Sequence, residues 1–216
     1  MRRVDAVIWD LDGTLIDTDL YVVVNYLHMF EMFRPGHYPH LVEMLRFSGP
    51  SEFDTLKEQF PDYPVEVTMK EFQRFCLERG PQLQTLYEGE IETLKALREM
   101  GIKMCVLTNK RRESALQALE MAGLSEFMEF TCAVDDMPVP KPAPDGVYMC
   151  LDRLGTPKER TILIGDTAFD LKAANSAGIL SGLVTWSPRG IPDIQRDIDF
   201  EGMEDIRRWI ADEPVS

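Results

Sequence analysis

Short apolar runs that end in polar residues recur along this chain of 216 residues. They occupy residues 6–9, 103–107, 130–134, 161–164 and 180–185. Because almost every position of these runs is apolar, the pattern predicts strands of a parallel sheet that are covered on both faces.

Segments with the apolar spacing of amphipathic helices lie between the predicted strands. Helices are predicted at residues 91–98, 114–122, 145–154 and 168–177. A glycine soon after each segment predicts where the helix ends, at Gly101, Gly123, Gly155 and Gly178. Alternation of strands and helices is typical of the α/β class, and here it predicts a doubly wound parallel sheet.

The stretch between about residues 19 and 86 breaks this alternation. Helices are predicted there at residues 21–33, 41–47 and 68–79, with proline-bearing turns between them and no apolar strand run. We interpret residues 18–86 as a helical insertion that forms a cap domain. Residues 1–17 and 87–216 then form the α/β core domain.

Composition narrows the possible partners and location. The formal net charge is −14 and no basic stripe stands out, which argues against a nucleic-acid partner. No apolar run is long enough to span a membrane, and no secretory apolar segment follows the N-terminus, so a cytoplasmic location is expected. The four cysteines form no C-x-x-C pair and are expected to be buried, reduced thiols rather than disulfides or zinc ligands.

The first predicted strand ends in the segment Asp10-Leu11-Asp12-Gly13. Spacing of two residues directs both carboxylates to the same side of an extended backbone. Two close carboxylates resist joint ionisation unless a cation or a proton intervenes. The motif therefore predicts a metal ion, with a nucleophile and an acid/base group beside it.

Other strand ends supply complementary groups. Thr108 and Asn109 follow the strand at 103–107, Lys141 lies after the strand at 130–134, and Gly165-Asp166 follows the strand at 161–164 with Asp170 one helical turn later. Ligands of open parallel sheets bind beyond the carboxyl ends of the strands. Carboxylates, a hydroxyl, an amide and a lysine on one rim suit a phosphate group and a hard cation.

Each group also has a purely structural interpretation. Thr108 and Asn109 could end a strand and cap the next helix, and Lys141 between two prolines could be a surface lysine in a rigid loop. Asp170 could form a capping box with Thr167, an interpretation as well supported by the sequence as a role in the site.

Taken together, the motifs resemble those of the haloacid dehalogenase superfamily of phosphotransferases. Asp10 to Thr14 resembles its D-x-D-G-T motif, Thr108 its second motif, Lys141 its third, and Gly165, Asp166 and Asp170 its G-D-x-x-x-D motif. Four matches in order are a specific signal. The helical insertion resembles the cap of phosphoglycolate-phosphatase-like members.

The resemblance implies the chemistry of the two aspartates. Asp10 would attack phosphorus and form an aspartyl-phosphate. Asp12 would protonate the leaving oxygen and then accept a proton from the hydrolytic water. Mg²⁺ would be bound by the carboxylates of Asp10 and Asp166 and by the backbone carbonyl of Asp12.

It also implies how the phosphate is held. Thr108 and Asn109 would donate hydrogen bonds to the phosphate oxygens, and Lys141 would hold both the nucleophile and the phosphate. Gly13 would let the backbone approach the phosphate closely, and Asp170 would support the site.

The substrate is less constrained than the chemistry. Dehalogenases and phosphonate hydrolases of the superfamily lack an acid at the position of Asp12, so its presence favours phosphate esters. The resemblance implies a small phosphorylated metabolite, with phosphoglycolate as the first expectation. Inorganic pyrophosphatase, a β-phosphoglucomutase-like mutase and a catalytically silent binding protein remain alternatives, as do monomer and homodimer. We further expect the loop Phe47 to Pro50 to contact the organic part of the substrate.

Overall fold

A single parallel sheet organises the computed structural model, which describes residues 3–212 apart from the side chains of residues 80 and 81. Within that range the strands have the order β3-β2-β1-β4-β5-β6. They are β1 (Ala6–Trp9), β2 (Lys103–Leu107), β3 (Thr131–Cys132), β4 (Thr161–Gly165), β5 (Leu180–Val184) and β6 (Ile198–Phe200). The prediction of a doubly wound α/β sheet is confirmed.

Helices cover both faces of this sheet and form the insertion after β1. In chain order they are α1 (Asp19–Phe33), α2 (Leu41–Leu45), α3 (Glu52–Gln59), α4 (Val65–Arg79), α5 (Glu90–Glu99), α6 (Arg112–Met121), α7 (Asp145–Leu154), α8 (Ala168–Ala177) and α9 (Met203–Ala211). None of the helices between residues 3 and 212 combines the length and apolar character needed to cross a lipid bilayer.

Strand β1 shows how the apolar pattern positions the sheet. Val7 and Trp9 pack into the hydrophobic cluster on one face, and Ala6 and Ile8 pack into the cluster on the other. Alternate residues of a strand point to opposite faces, so a strand that is apolar throughout is stable only between two layers of helices. The chain leaves β1 with β2 on one side and β4 on the other, which makes the carboxyl end of β1 the switch point of the sheet.

Two predicted elements are cut short by 3₁₀ turns. The apolar run at 130–134 forms a strand only over Thr131–Cys132, because residues 134–136 turn into a 3₁₀ helix. This 3₁₀ helix is stabilised by the backbone N–H of Ala133, which donates to the Asp136 carboxylate at 2.8 Å. The helix predicted at 41–47 ends at Leu45 and continues as a 3₁₀ turn over residues 46–48.

The helical insertion has a hydrophobic cluster of its own, which is rich in aromatic side chains and includes Tyr26, Phe30 and Phe72. The chain enters and leaves the insertion side by side, because Asp17 and Thr85 exchange two backbone hydrogen bonds of 2.9 and 3.1 Å. The domain division at 17/18 and 86/87 stays a prediction. Of the predicted core domain, residues 1–2 and 213–216 lie outside the described residues.

Glu90, the first residue of α5, provides a test of how a buried carboxyl makes the free energy of unfolding depend on pH. Burial raises the pKa of its carboxyl from the usual 4.5 to about 8, although the Tyr87 N–H donates to it at 3.1 Å and opposes the shift. A carboxyl whose pKa is higher in the folded than in the unfolded state makes its full contribution to the free energy of unfolding below pH 4.5. That contribution is lost as the pH rises towards 8. Between pH 5.5 and pH 8 we therefore expect the wild type to lose about 1–3 kcal/mol of unfolding free energy relative to Glu90→Gln.

Urea unfolding of both proteins at the two pH values measures this difference. Glu92→Gln, at an exposed position of the same helix, is the matched control. Equal pH dependence in the wild type and Glu90→Gln would contradict the expectation.

Candidate active site

The residues singled out in the sequence converge at the carboxyl edge of the sheet. Asp10 and Asp12 follow β1, Thr108 and Asn109 follow β2, and Asp166 follows β4. Lys141 comes from the loop between β3 and α7, and Asp170 from the first turn of α8. All seven are buried, together with the neighbouring Lys110.

Lys141 connects the carboxylates of the site. Its Nζ donates to Asp10 Oδ1 at 2.7 Å, to Asp170 Oδ1 at 2.6 Å and to the carbonyl of Leu107 at 2.9 Å. The Lys141 ammonium thus has an acceptor for each of its three protons. The interpretation of Lys141 as a surface lysine is wrong, because its side chain is only 3% exposed.

Burial and mutual charge set the ionisation of this group. Burial, and next the charge of Asp170, raise the pKa of Asp10 to about 8, against the lowering effect of Lys141. Burial alone would lower the pKa of Lys141, but the carboxylates of Asp10 and Asp170 outweigh it and raise that pKa. Lys141 is therefore a permanent cation beside Asp10. A divalent cation at the site would favour ionised Asp10, because a bound metal lowers the pKa of its carboxylate ligands.

Asp170 forms the predicted capping box and also contacts Lys141. Its Oδ2 accepts from the N–H and the hydroxyl of Thr167, at 3.1 and 2.6 Å, which forms the capping box of α8. Its Oδ1 accepts from Lys141. The cap fixes the carboxylate so that its second oxygen points at the lysine.

Three carboxylates are arranged as a cation site would require. Oxygen atoms of Asp10, Asp166 and Asp170 lie within 4.8 Å of one another. Asp166 Oδ2 accepts from Ser187 Oγ at 2.7 Å and from Arg189 Nη1 at 2.6 Å. Asp166 Oδ1 is buried and has no hydrogen-bond partner among residues 3–212. A buried, unpaired carboxylate oxygen beside other carboxylates fits a hard divalent cation, which prefers oxygen ligands.

Burial raises the pKa of Asp166 to about 6, and the charge of Arg189 is the main opposing influence. Asp166 thus depends on positive charge nearby to remain ionised in its buried position.

Gly13 permits the close packing of this edge. Its φ is +84°, and a Cβ atom there would lie 1.8 Å from Arg189 Nη1 and 2.3 Å from Asp166 Oδ2. Any side chain at position 13 would therefore displace both groups, and the left-handed backbone adds strain for residues other than glycine. The loop after β1 passes close to Asp166 because this position has no side chain.

Lys110 is a site residue that the sequence interpretation missed. Its Nζ donates to Asp12 Oδ1 at 2.8 Å and lies 4.4 Å from the ring centroid of Tyr21 in the helical insertion. Burial opposes its charge, but Asp12 outweighs burial and raises the pKa of Lys110. The signal was present as the third polar residue of Thr108-Asn109-Lys110 after β2.

Thr108 and Asn109 organise the loops around the site. Thr108 Oγ1 accepts from the N–H of Lys110 at 3.1 Å. Asn109 accepts from the N–H of Lys141 at 3.0 Å and donates to the carbonyls of Lys141 and Gly49, at 2.9 and 3.1 Å. The Asn109 amide therefore fixes the Lys141 backbone and contacts the helical insertion; direct phosphate binding by either side chain stays a prediction.

Arg189, in the segment after β5, is the second residue that sequence reasoning missed. Besides Asp166, its guanidinium pairs with Asp19 at the start of α1 at 2.9 Å and donates to the carbonyl of Leu45 at 3.1 Å. Arg189 thus links the proposed metal ligand to two parts of the helical insertion. A cavity of about 360 Å³ opens beside it, lined also by Arg46 and Phe169.

Comparison with known proteins agrees with this geometry. The sequence model of the family described as haloacid dehalogenase-like hydrolase matches residues 7–184. A protein of Bacillus pumilus named pyrophosphatase PpaX is 34% identical over 187 residues, which are 87% of this chain and 86% of that protein. The protein of the same name from Halalkalibacterium halodurans is 34% identical over 197 residues, 91% of this chain and 90% of its own length.

Solved structures share the fold at lower identity. The crystal structure of a predicted phosphoglycolate phosphatase from Haemophilus somnus matches with a TM-score of 0.87 at 22% identity, over 95% of this chain and 97% of that chain. That of a predicted phosphatase from Clostridium acetobutylicum matches with a TM-score of 0.84 at 20% identity, over 97% of this chain and 99% of that chain.

Proposed function

The chain belongs to the haloacid dehalogenase-like hydrolases and is a phosphatase, and from this we propose that it is a Mg²⁺-dependent enzyme that hydrolyses small phosphate esters through an aspartyl-phosphate on Asp10. The observation that carries the proposal is the cluster of Asp10, Asp166 and Asp170 carboxylates, whose oxygens lie within 4.8 Å of one another. Lys141 donates to two of the three. Such a site combines a nucleophile with the positive charge that an incoming phosphate needs.

The proposed reaction has two steps. In the first, a carboxylate oxygen of Asp10 forms a bond to phosphorus while the bond from phosphorus to the leaving oxygen breaks, and Asp12 gives its proton to that oxygen. In the second, a water molecule attacks phosphorus, Asp12 takes the proton of the water, and the bond between Asp10 and phosphorus breaks. Lys110 holds Asp12 in place for both proton transfers through its 2.8 Å hydrogen bond.

The metal would be held by the carboxylates of Asp10 and Asp166 and by the backbone carbonyl of Asp12. When bound, Mg²⁺ neutralises phosphate charge and so allows an anionic nucleophile to approach an anionic phosphate. The unpaired Oδ1 of Asp166 supports this assignment. Lys141 would stabilise the phosphate oxygens as well as Asp10.

The substrate, and with it the leaving group, has more than one candidate. Pyrophosphate is a second candidate substrate, favoured by the names of the relatives that are 34% identical. Phosphoglycolate stays a prediction from the sequence, since the structures titled phosphoglycolate phosphatase share the fold at 22% identity or less. The oligomeric state, monomer or homodimer, and the preference for Mg²⁺ likewise stay predictions.

Hydrolysis of p-nitrophenyl phosphate tests the proposal. We expect turnover to fall to background after removal of divalent cations with EDTA and to return on addition of excess Mg²⁺, because the carboxylate cluster repels phosphate without a cation. Phosphate release from phosphoglycolate, pyrophosphate, sugar phosphates and nucleotides then ranks the substrates. A silent binding protein would show no metal-dependent turnover, and a mutase would transfer phosphate between sugar positions with little net release.

A further inference from the structure

A small cavity lies between the helical insertion and the sheet, directly beside Asp12. Its volume is about 30 Å³, enough for one or two water molecules. Asp12 and Lys110 line it from the core side, and Ser48, Glu52 and Tyr26 line it from the insertion. We call it the leaving-group chamber, because the proposed function makes Asp12 the proton donor to the leaving oxygen.

Three oxygen atoms of the chamber's lining residues are unsatisfied. Glu52 Oε2, Ser48 Oγ and the Tyr26 hydroxyl oxygen are excluded from solvent and have no hydrogen-bond partner within the described part of the chain. A buried polar atom without a partner costs about 1–3 kcal/mol, so such atoms in a cavity indicate where a ligand would bind. The serine hydroxyl can donate or accept, whereas an ionised carboxylate can only accept.

The charges of the chamber are unbalanced. Its charged lining residues are Asp12, Glu52 and Lys110, which are two carboxylates and one ammonium. The Lys110 ammonium donates to Asp12 at 2.8 Å, so the Asp12 carboxylate neutralises much of the Lys110 charge. Burial, with a smaller contribution from the charge of Asp12, raises the pKa of Glu52 to about 7 against the lowering effect of Lys110. The environment of Glu52 thus favours a hydrogen-bond donor and disfavours a further negative charge.

We propose that Glu52 is a specificity-determining residue: it selects a leaving group that donates a hydrogen bond, such as a hydroxylated alkyl group, and rejects a leaving group that carries a second negative charge. This inference rests on the proposed function, which places the leaving oxygen at Asp12. A hydroxyl group would give Glu52 Oε2 its missing donor. At pH 8, above the pKa of Glu52, a carboxylate or a second phosphate would face the ionised side chain with like charge in a site of low dielectric constant.

Three phosphate esters of the same chain length isolate this effect. Ethyl phosphate has no donor, 2-hydroxyethyl phosphate has one, and phosphoglycolate has a carboxylate at that position; pyrophosphate adds a second phosphate. For the wild type with Mg²⁺ at pH 8 we expect kcat/KM for the hydroxyethyl ester to exceed that for ethyl phosphate, and to exceed that for phosphoglycolate and pyrophosphate by at least about tenfold.

Glu52→Gln is expected to reduce the ratio of hydroxyethyl ester to phosphoglycolate by at least about tenfold, because the glutamine amide can donate to a carboxylate as well as accept from a hydroxyl. Glu58→Gln, at an exposed position of the same helix, is the matched control and should keep the wild-type ratio. Urea unfolding confirms that each variant is folded. If Glu52→Gln does not fold, the order of the wild-type kcat/KM values still decides the proposal.

The outcomes separate this inference from the proposed function. Metal-dependent hydrolysis of p-nitrophenyl phosphate with a wild-type preference for phosphoglycolate or pyrophosphate would overturn the role of Glu52 and leave the proposed function intact. A ratio that Glu52→Gln does not change would do the same. Absence of metal-dependent turnover on every ester would overturn both.

Discussion

Asp10→Asn is expected to lower kcat/KM for p-nitrophenyl phosphate by at least about 1,000-fold. The asparagine keeps the size of the side chain and can still accept the hydrogen bond that Lys141 Nζ gives to Asp10 Oδ1 at 2.7 Å. In the proposed reaction, it removes the negative charge that would attack phosphorus and would ligate the metal. The loss should therefore come from the chemical step rather than from misfolding.

Two measurements make this expectation specific. Asp152→Asn, at an exposed position of α7, is the matched control and should keep the wild-type kcat/KM. Wild-type enzyme quenched during turnover and treated with hydroxylamine should carry a hydroxamate at Asp10 that peptide mass spectrometry detects, because acyl phosphates react with that nucleophile. Retention of more than about a tenth of the activity by folded Asp10→Asn would rule out Asp10 as the nucleophile.

The central strands and the motifs that follow them could be predicted because both depend on local sequence. β1 and β2 have the predicted bounds, since each is a continuous apolar run ended by polar residues. The ends of two helices could also be predicted from local sequence: Gly155 and Gly178 end α7 and α8 with φ of +62° and +73°. Strand ends of one parallel sheet meet at one edge, which is why Asp10, Lys141 and Asp166 could be grouped before any coordinates.

Elements with weak apolar signals escaped prediction. β6 (Ile198–Phe200) is a short edge strand in which Asp199 is exposed, so it lacks the continuous apolar run of the central strands. α3 (Glu52–Gln59) is mostly polar and is defined largely by its N-cap, where Ser51 Oγ accepts from the N–H of Asp54 at 3.1 Å. α9 is an exception, because its apolar signal is clear and it was nevertheless missed: Met203, Ile206 and Ile210 have helical spacing and are buried.

The residues that the sequence could not reveal act across long separations in the chain. Arg189 reaches both Asp166 and Asp19, and Glu52 lies near Lys110 only because the helical insertion folds back over the sheet. An arginine or a glutamate alone has no motif, and on average such residues are exposed. Their roles follow from burial beside an opposite or like charge, which only tertiary structure can place.

Lys141→Met is expected to lower the free energy of unfolding by about 3–5 kcal/mol and to abolish turnover of p-nitrophenyl phosphate. Lys141 is the buried cation between Asp10 and Asp170, and methionine has a similar length but no charge. Without it, two buried carboxylates face each other without the hydrogen bonds of the ammonium. Urea unfolding and phosphate release measure the two effects, and Lys172→Met, at an exposed position of α8, is the matched control.

Added Mg²⁺ distinguishes a lost charge from lost packing in this variant. If the deficit of Lys141→Met is electrostatic, a divalent cation bound by Asp10 and Asp166 relieves part of the repulsion, so Mg²⁺ should raise the unfolding free energy of the variant more than that of the wild type. If the deficit arises from packing, Mg²⁺ should shift both proteins equally. Wild-type stability in the Lys141→Met protein would contradict the central position of this lysine, since removing one partner from a buried ion pair leaves the other charge uncompensated.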